Sequence, residues 1–249
     1  MNARWLMKPV IVMPTYNEKE NIEKIVREIV ALDSGVSILI VDDGSPDGTG
    51  DIADRLSREL DGRVFVEHRE GKQGLGTAYK HGFRVAIDKM GADCVFEMDA
   101  DFSHNPRYIP DFLGAIEKHD VIIGSRYVRG GGIENWGIMR KLISRGGSLY
   151  TWVFTGLKVK DSTAGFRCYR KNVLEAIDFS RISASRYEFQ VEMAYLCTLL
   201  DFDIFELPII FVDRAAGTSK MSKSIVLEAM RLVAGLKKKY RDLNNNKRL

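Results

Sequence analysis

Two carboxylates, Asp99 and Asp101, stand one residue apart in the stretch VFEMDADFSHNP, residues 95–106. The apolar residues before them predict a strand, so both carboxylates fall where that strand ends. Such a pair can hold a hard divalent cation through its oxygens and leave other coordination positions for substrate phosphates. Acidic pairs at strand ends are also often solvated turn residues, so the pair alone leaves both interpretations open.

The composition is that of an ordinary soluble chain. Its 249 residues are 45% hydrophobic and 29% charged, enough for one large α/β domain with or without an appendage. The net charge of +3 is too small to indicate a nucleic-acid partner. We expect no signal peptide, and no transmembrane helix, because the longest apolar runs fall well short of roughly 20 residues. Cys94, Cys168 and Cys197 lack metal-ligand spacing and are expected to be reduced and packed in a cytosolic protein.

Strand and helix patterns alternate through the first hundred residues. Asn17 followed by Glu20 predicts a capping box at the start of the first helix. This alternation predicts an α/β fold with a mostly parallel sheet and helices on both faces. The four predicted strands are residues 10–13, 36–41, 63–67 and 95–98.

A polar loop follows each of these strands. The loops read PTYNE, DDGSPDGT, EGKQGLG and DADFSHNP. Because the carboxyl ends of parallel strands share one edge of a sheet, the loops are expected to converge on one crevice. The GKQGLG segment, residues 71–76, has neither the G-x-G-x-x-G spacing nor the Lys-Ser/Thr of a Walker A loop, so NAD and P-loop chemistry are not expected.

The ordered motifs resemble those of the dolichyl-phosphate mannose synthases, polyprenyl-phosphate mannosyltransferases of the inverting glycosyltransferase family with a GT-A fold. The resemblance covers residues 9–225, and it is the order of the motifs that is specific. DADFSHNP looks like the mannosyl enzymes rather than the related glucosyl and undecaprenyl enzymes. The motifs are PTYNEKENI, VDDGSPDGT, GKQGLGTAY, DADFSHNP, GSRY, ISRGGS, DSTAGFRCYR and FVDRAAGTSK.

The resemblance implies a nucleotide site for GDP-mannose and a site for Mg²⁺ or Mn²⁺. Glu18 could instead be a helix N-terminal charge favoured by the dipole. Relatives can place a glutamine where this chain has Ser103, a weaker ligand. The nucleotide and diphosphate residues are Pro14, Tyr16, Glu18, Val41, Asp42, Asp43, Gln73, Asp99, Ala100, Asp101, Arg126, Arg214 and Lys220. The metal ligands are Asp99, Asp101 and Ser103.

The resemblance also implies an acceptor site for dolichyl or polyprenyl phosphate, whose phosphate would meet Arg126, Arg140 and Ser144. Arg214 and Lys220 would close over the diphosphate of the donor. For Arg167 we expect a structural role instead of contact with a substrate. The residues that would act in catalysis are Asp101, Arg126, Arg140, Ser144 and Arg214, and those near the sugar are Asp161, Ser162, Thr163 and Gly165.

Two segments mix basic with apolar residues and suggest contact with a membrane surface. We expect a catalytic domain over residues 1–221, including an interfacial helix within 130–157, and an amphipathic helix with a basic tail over 222–249. Basic residues beside aromatic ones suit a helix in the headgroup layer, but an ordinary core-packing helix explains the pattern as well. The resemblance implies a peripheral protein on the cytosolic face of a membrane, held by its own helices or by small transmembrane anchoring subunits.

The expected reaction is a single displacement with inversion of the α-linked donor. A phosphate monoester has a second pKa of roughly 6, so the acceptor is already largely ionised and needs no dedicated base. Two alternatives stay open: transfer of another sugar, such as glucose from UDP-glucose, and a non-catalytic nucleotide-sensing or scaffold subunit. The presence of Asp101, Arg126, Arg140 and Arg214 favours an enzyme.

Overall fold

The computed structural model describes residues 7–184, 188–212 and 223–246. The strands are β1 (Pro9–Thr15), β2 (Ser37–Asp42), β3 (Val64–His68), β4 (Cys94–Glu97), β5 (Val121–Ser125), β6 (Gly132–Glu134), β7 (Arg167–Arg170), β8 (Ile204–Pro208) and β9 (Ile210–Val212). The helices are α1 (Ile22–Ala31), α2 (Thr49–Glu59), α3 (Leu75–Asp88), α4 (Ile109–Ile116), α5 (Ile138–Thr155), α6 (Lys171–Ala176), α7 (Glu188–Leu199), α8 (Lys223–Lys239) and α9 (Arg241–Asn246).

Seven strands form one sheet in the order β3-β2-β1-β4-β7-β5-β8. The first four strands are parallel, as the alternation of strand and helix predicted. β7 is antiparallel to both of its neighbours, β4 and β5. Because β7 is reversed, its first residue, Arg167, pairs with Glu97 at the end of β4. The loop that precedes β7 therefore lies at the edge where β4 and β5 end.

The sheet separates two apolar clusters. Val10 and Val12 of β1 belong to one cluster, and Ile11 and Met13 belong to the other. This follows from the strand period, which points successive side chains to opposite faces. Residues of α3, α6, α7 and α8 complete the first cluster, and residues of α1, α2 and α4 complete the second. The sheet is thus covered by helices on both faces, and its edges carry the polar loops.

Gly82 lets α3 lie close to the sheet. A Cβ at this position would overlap Cγ1 of Val12 and would lie 3.2 Å from Cγ2 of Val41. Glycine in the middle of a helix costs up to about 1 kcal/mol relative to alanine. The close approach of the helix to β1 and β2 offsets that cost by improving the packing of the apolar cluster.

The capping box predicted at Asn17 and Glu20 is wrong. α1 begins at Ile22, and the preceding Asn21 makes no side-chain cap hydrogen bond. Asn17 has a left-handed φ of 62°, and its N–H donates to the hydroxyl of Ser45 at 3.1 Å. The segment around Asn17 is a loop because its backbone makes a hydrogen bond to the loop after β2 and does not begin a helix.

The glycines at 130–132 lead into a short strand. Gly132 begins β6 and pairs with Ile210 of β9 in a small parallel sheet. A Cβ on Gly131 would lie 2.5 Å from the carbonyl oxygen of Ser125, so the chain passes very close to the end of β5 there.

The helix α8 and the residue that follows it contribute to the first apolar cluster. Val233, Leu236 and Tyr240 are buried in the cluster shared with α3 and α7, and the Tyr240 hydroxyl donates to Glu192 Oε1 at 2.8 Å. The boundary predicted after residue 221 lies outside the described residues. Among the described helices, none combines the length and the apolar character that crossing a bilayer requires.

Candidate active site

Loops after β1 and β2 are joined by Asp42. This buried carboxylate accepts hydrogen bonds from the Thr15 hydroxyl at 2.9 Å and the Ser45 hydroxyl at 2.6 Å. The Asp42 side chain therefore fixes the end of β1 and the loop after β2 relative to each other.

The PTYNE loop is tied down through its backbone. The N–H groups of Glu18 and Lys19 donate to the Thr49 hydroxyl at 2.9 Å and to Asp47 at 3.2 Å. Pro14 pairs with Val41 across β1 and β2. The ring of Tyr16 lies under Lys72, with the ammonium 4.2 Å from the ring centre. These contacts bring the predicted nucleotide residues after β1 beside those after β2.

The residue that follows β3, Arg69, places a cation beside Asp43. Arg69 Nη1 lies 2.9 Å from Asp43 Oδ1, and both side chains are buried. Arg69 Nη2 donates to Gln73 Oε1 at 3.0 Å and to Thr77 Oγ1 at 2.8 Å. Burial raises the pKa of Asp43, and the Arg69 charge acts in the opposite direction. Arg69 thus couples the predicted residues Asp43 and Gln73.

The two carboxylates after β4 are half-buried and lie in a tight turn. The buried Tyr79 hydroxyl of α3 donates to Asp99 Oδ1 at 3.2 Å, and the Ser103 N–H donates to Asp101 Oδ1 at 3.0 Å. His104 Nδ1 accepts the Asp99 N–H at 2.9 Å, so the His104 ring holds the backbone of this segment in place.

The carboxylate pair fits a divalent cation that is shared with a substrate. Within the described part of the chain, no three histidine, cysteine, aspartate or glutamate side chains are grouped as a metal site. Magnesium is commonly held by one or two carboxylates together with substrate phosphates and water, and it prefers oxygen ligands. Asp99 and Asp101 would supply the protein's share of such a set. Ser103 is buried, with 3% of the residue exposed, and its contact to a cation stays a prediction.

Val41 and Ala100 are buried, with 0% and 2% of their surface exposed. Their side chains are therefore closed to a ligand, and a contact of these two residues with a nucleotide stays a prediction.

Beneath the carboxylate pair lies a buried charged layer. Glu97 is fully buried, and burial raises its pKa to about 7 against the opposing charge of Arg167. Arg167 is also fully buried and donates to the carbonyls of Ser162 at 2.9 Å, Ala164 at 2.8 Å and Gln190 at 2.8 Å. Residues 161–165, predicted to lie near the sugar, form what we call the acceptor loop. Arg167 fixes this loop to β7 and α7, in agreement with the structural role expected for it.

Arg126 and Asp161 form a buried pair on the acceptor side. The guanidinium donates from Nε and Nη2 to the two carboxylate oxygens, each at 2.6 Å, and Nη2 also donates to the Thr163 hydroxyl at 2.9 Å. Glu206 of β8 accepts from the Asp161 N–H at 2.9 Å and the Ser125 hydroxyl at 2.8 Å. Residues 35 positions apart are thereby fixed at the same edge of the sheet.

The other two residues predicted for the acceptor phosphate lie on α5. The Ser144 hydroxyl accepts from the Tyr127 hydroxyl at 2.7 Å. The guanidinium of Arg140 lies 4.1 Å from the ring centre of Trp136, and the same ring is 5.4 Å from the guanidinium of Arg126. Trp136 therefore links the two arginines. Arg214 and Lys220 lie outside the described residues.

Four residues that contribute to this site were not singled out from the sequence. Arg69 and Tyr79 flank or belong to the GKQGLGTAY motif, which offered a weak signal. Nothing in the local sequence indicates that Glu206 supports Asp161, since that contact spans 45 residues. The side chains missed are Arg69, Tyr79, Trp136 and Glu206.

The sequence matches the family model described as Glycosyl transferase family 2 over residues 10–178. The chain is 46% identical over 224 residues to an undecaprenyl-phosphate mannosyltransferase of Micrococcus luteus, which covers 90% of this chain and 91% of the relative. It is 42% identical over 233 residues to a polyprenol monophosphomannose synthase of Mycolicibacterium smegmatis, covering 93% and 88%. The first of these relatives is named for undecaprenyl phosphate and the second for a polyprenol, so the similar enzymes are not limited to dolichyl phosphate.

The fold is similar to that of glucosyl-3-phosphoglycerate synthase from Mycobacterium tuberculosis, solved with Mn²⁺, uridine diphosphate and phosphoglyceric acid. The TM-score is 0.65 at 18% identity, and the match covers 94% of this chain and 78% of that one. The architecture is thus the GT-A fold expected from the motifs.

Proposed function

The chain belongs to glycosyl transferase family 2, and we propose that it transfers mannose from GDP-mannose to a polyprenyl phosphate with inversion. The main support for the proposal is that the carboxylate pair and the Arg126–Asp161 pair lie at the same edge of the sheet. The carboxylates Asp99 and Asp101 follow β4, and the Arg126–Asp161 pair joins the end of β5 to the loop before β7. The names of the two mannosyltransferase relatives support mannose and a polyprenyl phosphate as the substrates.

The donor half of the site suits a nucleoside diphosphate. Tyr16 offers a flat face for a base, and Glu18 offers an acceptor for the donors of guanine. Asp99 and Asp101 would hold Mg²⁺ or Mn²⁺, and the Mn²⁺ in the M. tuberculosis structure supports that choice. The cation would neutralise charge that develops on the departing diphosphate. Arg214 and Lys220 are proposed to neutralise part of the same charge.

The acceptor half needs to place a phosphate monoester in line with the anomeric carbon. Its oxygen is already largely ionised at neutral pH, so the residues serve alignment and charge, and no general base is required. Arg140 and Ser144 on α5 are proposed to bind that phosphate. Arg126 is held by Asp161, and it adds a fixed positive charge beside the phosphate. The attacking oxygen forms the new bond as the bond to GDP breaks.

The acceptor is a lipid, so the reaction takes place at a membrane surface. We propose that the chain is peripheral on that surface, reached through its own helices or through small transmembrane anchoring subunits. The exposed apolar side chains of α5 support the first route.

Incubation with radiolabelled GDP-mannose, a short polyprenyl phosphate and Mn²⁺, followed by organic extraction, tests the reaction. We expect label in the organic phase, little label from UDP-glucose, and loss of transfer with a chelator. Asp101→Asn should lower turnover on the order of a hundredfold or more with the fold retained, because several kcal/mol of charge stabilisation is lost.

The matched control is Asp111→Asn, which removes an exposed carboxylate on α4 and should leave turnover unchanged. Near-normal turnover of Asp101→Asn would contradict the metal role of that residue. Transfer from UDP-glucose in place of GDP-mannose would assign the chain to a different donor.

A further inference from the structure

A groove of about 570 Å³ lies between α5 and the segment 157–160, beside the proposed acceptor site. We call it the α5 groove. Leu149, Trp152, Leu157 and Val159 supply its apolar lining, and Arg145, Lys158 and Lys160 supply three cations. Tyr127, whose hydroxyl donates to Ser144, also lines it. The α5 groove therefore adjoins the acceptor site without including its proposed residues Arg126, Arg140 and Ser144.

The three cations point to an anionic ligand. The segment 157–160 alternates, with Leu157 and Val159 buried and Lys158 and Lys160 exposed. Glu206 fixes this segment by accepting the Lys160 N–H at 2.9 Å. Within the described part of the chain, Arg145, Lys158 and Lys160 make no ion pair, so their charges are not neutralised there. Three like charges around one groove favour a phosphate or another anion.

A buried hydroxyl in the groove also lacks a partner. Ser148 is 8% exposed, and its Oγ has no hydrogen-bond partner among the described residues. An unpaired buried hydroxyl costs free energy, so such groups usually meet a ligand or water. Ser148 lines the α5 groove, and its hydroxyl can donate to a phosphate oxygen there.

The surface beside the groove is apolar over much of α5. Seven large apolar side chains of this helix are each more than 40% exposed, and Leu149 and Trp152 belong to both this surface and the groove. The helix contains three basic residues and no acidic one. Helices of this composition lie in the headgroup layer of anionic membranes. The exposed residues are Met139, Leu142, Ile143, Leu149, Trp152, Val153 and Phe154.

We propose that the α5 groove binds the headgroup phosphate of an anionic phospholipid while the apolar face of α5 enters the lipid layer. This lipid is distinct from the acceptor. The inference rests on the proposed function, because it places a membrane lipid next to the lipid-phosphate acceptor site. Binding of this lipid would orient the active site toward the bilayer and shorten the path of the acceptor to its site. A protein partner fits less well, since the cores of such interfaces are depleted in charge.

Co-sedimentation with vesicles tests the proposal. Wild type should bind phosphatidylcholine vesicles that contain phosphatidylglycerol more tightly than vesicles of phosphatidylcholine alone. The triple variant Arg145→Gln/Lys158→Gln/Lys160→Gln should lose on the order of a hundredfold in affinity, about fivefold for each charge near the surface. Ser148→Val should lose about fivefold through the missing hydrogen bond.

The control is Lys24→Gln/Arg58→Gln/Lys118→Gln, which removes three exposed cations elsewhere and gives the same net charge. It should retain vesicle binding. All variants should keep the wild-type melting temperature and the wild-type rate of transfer to a short-chain, water-soluble acceptor.

Equal binding of wild type and the first triple variant would overturn the proposal, as would equal losses in both triple variants. Loss of transfer to the soluble acceptor in the first triple variant would instead make the groove part of the acceptor site. Release of wild type from the vesicles by millimolar inorganic phosphate would identify a site for free phosphate. If wild type transfers no mannose but the vesicle results hold, the proposed function fails and the lipid site stands.

Discussion

Arg126 and Asp161 are joined by two hydrogen bonds of 2.6 Å, one to each carboxylate oxygen, although they lie 35 positions apart in the chain. Asp161 is fully buried and Arg126 is 9% exposed. Burial opposes the charge on Arg126, but the hydrogen bonds and charge of Asp161 prevail, and the pKa of Arg126 is raised. The pair thus fixes the acceptor loop to the end of β5.

Breaking this pair from one side should destabilise the fold. Asp161→Asn leaves a buried guanidinium without its counter-charge, and we expect a loss of about 3–5 kcal/mol in the free energy of unfolding. The double variant Arg126→Met/Asp161→Leu should recover most of that loss, because neither charge then remains buried. Urea denaturation measures both. A cost below about 1 kcal/mol for Asp161→Asn would contradict a buried, well-paired contact.

The Arg126→Met/Asp161→Leu variant also separates stability from function. It should stay inactive with a polyprenyl phosphate even where its stability is restored, since the fixed positive charge is gone. Recovery of activity along with stability would mean that Arg126 acts only as a structural residue.

Tyr79→Phe should weaken cation binding and leave the fold intact. The hydroxyl of Tyr79 donates to Asp99 Oδ1 at 3.2 Å, while its ring stacks on Phe83 and Phe189, contacts that phenylalanine keeps. Removing a hydrogen-bond partner that orients a metal ligand typically lowers the metal affinity by about 10–100-fold. We expect a shift of the Mn²⁺ dependence of transfer to higher concentration by about tenfold. An unchanged Mn²⁺ titration would remove Tyr79 from any role in orienting Asp99.

Two glycine-to-alanine substitutions within helices should have opposite effects on stability. Gly82→Ala in α3 forces a methyl group into Val12 and should cost about 1–3 kcal/mol. Gly114→Ala in α4 meets no atom within 4 Å and should stabilise by up to about 1 kcal/mol, because alanine favours the helix. Thermal unfolding of both variants provides the measurement. Equal effects would mean that α3 can move away from the sheet without cost.

The ion pairs between α1 and α2 should make stability depend on acid pH. Hydrogen bonds from Arg55 and Arg27 lower the pKa of Glu23 to about 2. Because the pKa is lower in the folded state, the stabilisation is present above the ordinary value of 4.5 and is lost as the pH falls toward 2. The urea midpoint of wild type should therefore fall between pH 5 and pH 3.

The midpoint of Glu23→Gln should fall less over the same pH range, and high salt should reduce the difference because the network is exposed to solvent. Glu28→Gln on the same helix is the control, since Glu28 makes no ion pair among the described residues. Parallel pH profiles for wild type and Glu23→Gln would contradict the assignment.

Much of the fold could be predicted from local patterns in the sequence. The alternation of strands and helices predicted the parallel arrangement of β1 to β4, and the ordered motifs predicted the GT-A fold and the mannosyltransferase relatives. The strand ahead of Asp99 and Asp101 was recognisable because Val95, Phe96 and Met98 are apolar residues that favour strands and because the segment ends at polar residues. Where the local signal was ambiguous, as at Asn17, the interpretation as a helix cap was wrong.

The sequence by itself determined the first four strands, their alternation with helices and the residue types at their carboxyl ends, because these depend on periodicities of a few residues. Only the tertiary structure decided that β7 is reversed between β4 and β5, that Glu206 and Asp161 fix Arg126, and that one face of α5 stays exposed. Those outcomes depend on packing and hydrogen bonds between segments tens of residues apart, which no short window of sequence specifies.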